Sequence, residues 1–165
     1  LTGGAGFIGS NVLEYLFDKY KNYNFIVLDS LTYAGNLRNI SPHMMDSSRF
    51  RFVYGDIINN TMVDNLVKES DVVIHFAAET HVTRSIYDNR KFFETDVLGT
   101  QSVANAVYHH KNRVERFIHY SAHPVLAPLK ITDRHSAGIG KSVRQDHNAF
   151  LKQNLISLHG DRAVG

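Results

Sequence analysis

The chain has 165 residues, 43% hydrophobic and 21% charged, with a formal net charge of +2. That length and mix suit one globular domain, and the near-neutral balance argues against a nucleic-acid surface or a polybasic membrane anchor. With no cysteine, a disulfide scaffold, a thiolate nucleophile and a cysteine-based zinc site are excluded. No apolar run approaches the roughly 18 residues that cross a bilayer, and no basic, apolar leader opens the sequence. The expectation is a soluble, cytoplasmic protein with no metal centre, no nucleic-acid partner and no membrane partner.

The first feature in the chain is its start, Thr2-Gly3-Gly4-Ala5-Gly6-Phe7-Ile8-Gly9. It fits G-x-x-G-x-x-G at Gly3, Gly6 and Gly9, and G-x-G-x-x-G at Gly4, Gly6 and Gly9. Helical spacing follows in Phe7, Ile8, Val12, Leu13, Leu16 and Phe17. Phe25-Ile26-Val27-Leu28 reads as a buried strand, and so does Phe50-Arg51-Phe52-Val53-Tyr54. Met62, Val63, Leu66 and Val67 repeat the helical spacing, and Val72-Val73-Ile74-His75-Phe76 reads as the next strand. Phe92, Phe93, Val97, Leu98, Val103 and Val107 form one long apolar stripe on a helix from about Asp88 to His109. Phe117-Ile118-His119-Tyr120 closes the series as a strand. This alternation predicts an α/β fold, a Rossmann-type doubly wound parallel sheet with helices on both faces.

Residues 1–121 therefore form one dinucleotide-binding unit. The strand that should feed its first loop is reduced to Leu1-Thr2, so the protein is expected to begin before Leu1. Residues 122–165 differ: they carry six Lys or Arg, three Asp and four of the ten histidines. A helix near 143–155 and a strand near 155–158 are the elements expected there. The tail reads as diverged, with remnants of a substrate-binding part.

The glycines at the start have a physical purpose. One makes a sharp strand-to-helix turn, one lets backbone touch a pyrophosphate, and one lets helix and strand pack closely. The helix start then offers unpaired N–H groups to phosphate. Alone, such a loop reads equally as an ordinary tight turn. The next strand, however, ends in Asp29, twenty residues past Gly9, where the fold places a carboxylate on the adenosine ribose. A carboxylate there repels a 2′-phosphate, so NAD is expected over NADP.

Several ordered segments carry a family resemblance. The opening through Ser10-Asn11 resembles the extended short-chain dehydrogenase/reductases. Leu28-Asp29-Ser30-Leu31-Thr32-Tyr33-Ala34-Gly35-Asn36-Leu37 resembles the nucleotide-sugar 4,6-dehydratases, those acting on dTDP-glucose above all. Gly55-Asp56-Ile57, His75-Phe76-Ala77-Ala78-Glu79-Thr80-His81-Val82, Arg84-Ser85-Ile86, Phe93-Glu94-Thr95 with Val97-Leu98-Gly99-Thr100, and Phe117 to Ser121 follow in family order.

The resemblance implies an NAD-dependent lyase of the short-chain dehydrogenase/reductase type acting on a nucleotide sugar, as a homodimer through the long helix. It implies that Gly3, Gly6 and Gly9 cradle the pyrophosphate, with Phe7 and Ile8 at the helix start. Asp29 holds the ribose, with Ser30, Leu31 and Thr32 lining that end. Asp56 and Ile57 flank the adenine. Phe76, Ala77 and Ala78 run under the cofactor, Thr80 reaches toward sugar and nicotinamide, and Thr95 contacts the cofactor. Plainer roles stay open: Asp56 as a turn residue, Ala77-Ala78 as small core residues, Thr95 as a hydroxyl bonding the preceding helical turn.

The resemblance also implies a reaction in which NAD takes a hydride from C4, water is lost across C5 and C6, and the hydride returns to C6. That needs a tyrosine with a lysine four residues on, and an Asp–Glu acid–base pair. This chain departs from the pattern there. The Thr-Asp-Glu positions hold Ala122, His123 and Pro124, and no Tyr-x-x-x-Lys occurs. No catalytic residue is assigned. Thr83 and Asp96 also replace the family's usual Asp and Asn. Two other readings stay open: a non-catalytic NAD-binding module, and a sugar-nucleotide 4-epimerase or decarboxylase.

Overall fold

A computed structural model describes residues 1–80 and 89–120. The tail elements expected near 143–158, and the departures at Ala122, His123 and Pro124, lie outside the described residues.

The β-branched and aromatic runs form four short strands: β1 Phe25–Asp29, β2 Phe50–Tyr54, β3 Val72–His75 and β4 Arg116–His119. β1 pairs with β2 and β3 with β4, both in parallel. Thr2 joins the two pairs, bridging Leu28 on one side and His75 on the other. Its N–H donates to the Ile74 carbonyl at 2.9 Å, and its carbonyl accepts from Phe76 N–H at 3.0 Å. On the other side Leu28 N–H donates to Leu1 O and Gly3 N–H to Leu28 O, both at 2.9 Å. The spatial order is thus β2, β1, Leu1-Thr2, β3, β4. The glycine-rich loop leaves the sheet at its centre, where doubly wound sheets place their ligands.

α1 (Phe7–Lys19) follows the loop directly and buries Val12, Leu13, Leu16 and Phe17. It packs on the face of β1 that carries Phe25, whose ring centroid is 5.5 Å from that of Phe17. The Arg49 guanidinium closes its C-terminal end. It donates to the carbonyls of Phe17, Tyr20 and Tyr23 at 3.3, 3.1 and 3.0 Å, satisfying groups that a helix end leaves open. After β1 come a 3₁₀ turn at Leu37–Asn39 and a short α2 (Pro42–Met45).

α3 (Asn60–Lys68) starts at Asn59, whose side chain accepts from Met62 N–H at 3.1 Å. Val63 and Val67 of α3 share a core with Leu28, Ile57, Val73, Val103, Ala106 and Val107. The sheet is therefore covered on both faces, as the alternation predicts.

The long helix departs from expectation. Among the described residues it begins with α4 (Arg90–Phe92), passes through a π-helical stretch, Phe93–Gly99, and continues as α5 (Thr100–His109). A π-helix takes more residues per turn, so the single apolar stripe is broken. Val103 and Val107 are buried, but Phe93, Val97 and Leu98 are 62%, 43% and 49% exposed. Spacing counted at the α-helical period cannot anticipate that rotation.

Candidate functional site

Gly3 sits in the left-handed region with φ +68°. A Cβ there would lie 2.6 Å from the Ala77 N and 2.8 Å from the Phe76 carbonyl carbon, so only glycine lets the loop touch the end of β3. Gly9 is needed for a second close approach: a Cβ on it would overlap the Gly3 carbonyl. Gly6 is the N-cap of α1, and no side chain caps that helix or places an acid in its first turn. The N–H groups at the helix start are thus left to a ligand or solvent.

Asp29 ends β1 and is buried. Oδ2 accepts from Ala5 N–H at 2.9 Å, and Oδ1 accepts from Leu31 N–H at 2.8 Å. Leu31 is the one non-glycine with positive φ among the described residues, at +49°. Strained backbone of that kind gathers at binding sites. The same segment folds back on the loop: the Ala5 carbonyl accepts from Asn36 N–H at 3.0 Å and from Asn39 Nδ2 at 2.8 Å.

One cleft collects most of the expected residues. Gly3 and Gly6 line it, with Asp29, Ser30 and Thr32 on the β1 side. Asp56 and Ile57 line it after β2, Phe76, Ala77 and Ala78 after β3, and Thr95 from the π-helical stretch. Asp56 also makes a turn, its Oδ1 accepting from Ile58 N–H at 3.0 Å. Phe7, Ile8, Gly9, Leu31 and Thr80 are not among the lining residues. Phe7 is 76% exposed at the start of α1.

Other residues line the cleft that the sequence reading did not single out, Glu79, Lys91 and Glu94 among them. Asp96 Oδ1 accepts from Glu79 N–H at 2.8 Å, and Thr80 N–H donates to the Tyr33 hydroxyl at 3.4 Å. Those two bonds tie the segment after β3 to the π-helical stretch and to the segment after β1. The side chains act on backbone groups, so no residue spacing signals them. The nearest hint is the run of turn residues from Gly35 to Asn39.

Behind the loop is a buried polar cluster. His75 is fully buried; its Nδ1 lies 2.6 Å from Thr2 Oγ1 and its Nε2 3.1 Å from Thr100 Oγ1. The His119 ring stacks on it at 5.0 Å. Burial, helped by the neighbouring His119, pushes the His75 pKa down to about 3, so the ring is neutral. A neutral ring suits the geometry: one ring nitrogen donates to one threonine hydroxyl and the other accepts from the second. Among the described residues no group of three or more His, Asp or Glu side chains is placed to hold a metal ion. No described helix is long and apolar enough to cross a membrane.

A family model described as GDP-mannose 4,6 dehydratase matches residues 1–125. The chain is 43% identical over 129 residues to the low-salt glycan biosynthesis protein Agl12 of Haloferax volcanii, covering 78% of this chain and 40% of that protein. It is 40% identical over 131 residues to a dTDP-glucose 4,6-dehydratase of Mycolicibacterium smegmatis, covering 79% of this chain and 38% of the relative. Among solved structures, DesIV, a dTDP-glucose 4,6-dehydratase from Streptomyces venezuelae with NAD and TYD bound, matches with a TM-score of 0.63 at 42% identity. That match covers 70% of this chain and 36% of DesIV. The chain spans about two fifths of the length of these curated relatives.

Proposed function

The chain belongs to the GDP-mannose 4,6 dehydratase family of extended short-chain dehydrogenase/reductases, and from that premise we propose that it is the NAD-binding part of a nucleotide-sugar 4,6-dehydratase. One observation carries the reading. The Asp29 carboxylate, the uncapped start of α1 and the Ala77-Ala78 strand end converge on a single cleft. A bare glycine-rich turn has no reason to bring the other two with it.

The residues present fit the cofactor. Gly6 and the helix-start amides of Phe7 and Ile8 would meet the pyrophosphate. Asp29 would take the adenosine ribose, with Ser30, Leu31 and Thr32 at that end. Asp56 and Ile57 would flank the adenine. Phe76, Ala77 and Ala78 leave room for the cofactor to run past the strand end, and Thr95 would contact it. Thr80 is the residue we assign to the sugar side. Gly3 and Gly9 serve this cradle through close packing of the loop. Bound NAD would supply a hydride acceptor that each turnover regenerates.

The segment from Thr32 to Asn36 supports a dehydratase over a 4-epimerase or decarboxylase. Ala122, His123 and Pro124 favour a second reading, a non-catalytic NAD-binding module. The exposed Phe93, Val97 and Leu98 support a homodimer through the long helix. The nucleotide-sugar chemistry supports the cytoplasm as the place of action. We read residues 1–121 as the cofactor unit and 122–165 as a diverged tail.

Calorimetric titration with NAD and NADP tests the cofactor reading: NAD binds, and more tightly than NADP. No NAD binding overturns it. An assay of the 165-residue chain with dTDP-glucose tests the reading of its tail, and product would overturn that reading. No 4-keto-6-deoxy product is expected without the missing tyrosine, lysine, Asp and Glu. An intact mass about twice the 18.7 kDa of this chain, as the two-fifths coverage of its relatives implies, favours the dehydratase; a mass near 18.7 kDa favours the module.

A further inference from the structure

We propose that Asn39 is a positioning residue for the cofactor, its side-chain amide bound to the Ala5 carbonyl at 2.8 Å so that the phosphate-binding loop keeps its ligand-ready shape. The inference rests on the NAD reading above and adds a residue to it.

The loop has an intrinsic weakness. Gly3, Gly4 and Gly6 surround Ala5, and glycine visits both signs of φ at similar cost, so the peptide planes on either side of Ala5 are free to flip. A flipped plane between Ala5 and Gly6 would break the bond from Gly6 N–H to the Gly3 carbonyl and disturb the entry to the helix start, where the pyrophosphate is expected. Packing holds the Ala5 methyl group, which is fully buried. Packing of one methyl does not orient two planes, whereas hydrogen bonds do.

The segment from Asp29 to Asn39 supplies three of them, and the loop supplies one of its own, Gly6 N–H to the Gly3 carbonyl at 3.3 Å. The plane between Gly4 and Ala5 is held by its N–H, which donates to Asp29 Oδ2 at 2.9 Å. The plane between Ala5 and Gly6 is held by its carbonyl, which accepts from Asn36 N–H at 3.0 Å and from Asn39 Nδ2. The Asn36 backbone bond already satisfies that carbonyl, so the Asn39 bond is not needed to settle a buried acceptor. What it adds is direction: the N–H end of the plane is held only by the long Gly6 bond to the Gly3 carbonyl, and the second donor steadies the carbonyl end. Asn36 supports the arrangement by accepting Arg38 N–H on its own side chain at 2.9 Å, which starts the 3₁₀ turn carrying Asn39. Gly6 is the N-cap of α1, so the plane that Asn39 holds leads directly into the helix-start amides.

The residue is exposed at the surface, so its substitution leaves the core intact. That separates this role from a merely structural one. The probes are NAD, which reaches the pyrophosphate site, and adenosine, which does not. NAD is titrated calorimetrically and adenosine by competition, against the parent, Asn39→Ala and Asn39→Asp. Asn39→Ala is expected to weaken NAD by about threefold to tenfold, the cost of ordering on binding a plane that the lost bond no longer holds. Asn39→Asp should weaken it further, because a carboxylate then faces the Ala5 carbonyl with no proton to share. Adenosine affinity should change by less than about twofold, and the unliganded melting temperature should hold within about 2 °C in Asn39→Ala. Unchanged NAD affinity in both variants overturns the proposal, and so does an equal loss of NAD and adenosine. A parent chain that binds no NAD overturns the cofactor reading itself, which keeps the two failures apart.

Discussion

Asp29 and Ala5, 24 residues apart, are joined by a hydrogen bond of 2.9 Å from the Ala5 N–H to Oδ2 of the Asp29 carboxylate. The residue that spacing assigns to the ribose thus also anchors the glycine-rich loop. Its other oxygen holds Leu31 N–H, so one side chain ties the glycine-rich loop to the segment that follows β1. Bonds to an ionised acceptor are the stronger kind. Removing them in Asp29→Ala should weaken NAD by more than about tenfold, from roughly 1.5–3 kcal/mol per charged bond. The ratio of NAD to NADP affinity should narrow as well, since the charge that repels a 2′-phosphate is gone. Titration of both cofactors checks this; unchanged affinities for the pair would remove Asp29 from the site.

Gly3 offers a sharper test of the loop. Left-handed backbone costs a β-carbon residue about 1–2 kcal/mol. Here the added methyl also meets the backbone of Ala77 and Phe76 at 2.6–2.8 Å. Neither partner is a flexible side-chain tip, so the sheet centre itself must shift. Gly3→Ala should lower the melting temperature by several degrees, and NAD should restore little of it. A variant that melts with the parent would mean the loop has room that this geometry denies.

The sheet was legible because its signal is local. Phe25–Leu28, Phe50–Tyr54 and Val72–His75 are β-branched and aromatic runs between helical spacings, and each is a strand. The place of Asp29 at the end of β1, in the cleft, was legible from its distance past the last loop glycine. The rest failed for two physical reasons. The stripe from Phe92 to Val107 was counted at one helical period, and the π-helical Phe93–Gly99 changes the period midway. Asn36, Asn39, Tyr33 and Asp96 act on backbone groups of distant segments, and side-chain-to-backbone bonds leave no pattern of residue types.

Phe93, Val97 and Leu98, all on the π-helical stretch, lie exposed to solvent on the described unit. Three large apolar side chains on one short stretch are the sort of surface that a second subunit covers. Leu98→Glu places a charge among them, where a closed interface would have to bury it unpaired. Light scattering should find a dimer for the parent and a monomer for Leu98→Glu, with little change in helix content by circular dichroism. A parent that stays monomeric at high concentration would reject a helix-mediated homodimer.

His75 makes the acid side of the stability curve measurable. Its ring is neutral in the folded chain, with a pKa near 3, because burial between Thr2 and Thr100 leaves no water for a charge. In the unfolded chain the same imidazole titrates near 6.5. Between those values the unfolded state carries the extra proton, so acid favours unfolding. The contribution is fully present above about pH 6.5 and drains away as pH falls toward 3. One proton gives a slope of up to about 1.4 kcal/mol per pH unit. His75→Gln keeps one donor and one acceptor for the two threonine hydroxyls but cannot titrate. Urea unfolding at pH 7 and pH 4 should therefore show a smaller acid loss in the variant than in the parent, even if the variant is less stable at both. Equal losses would mean that the ring is protonated in place, with the donating threonine turned to accept from it.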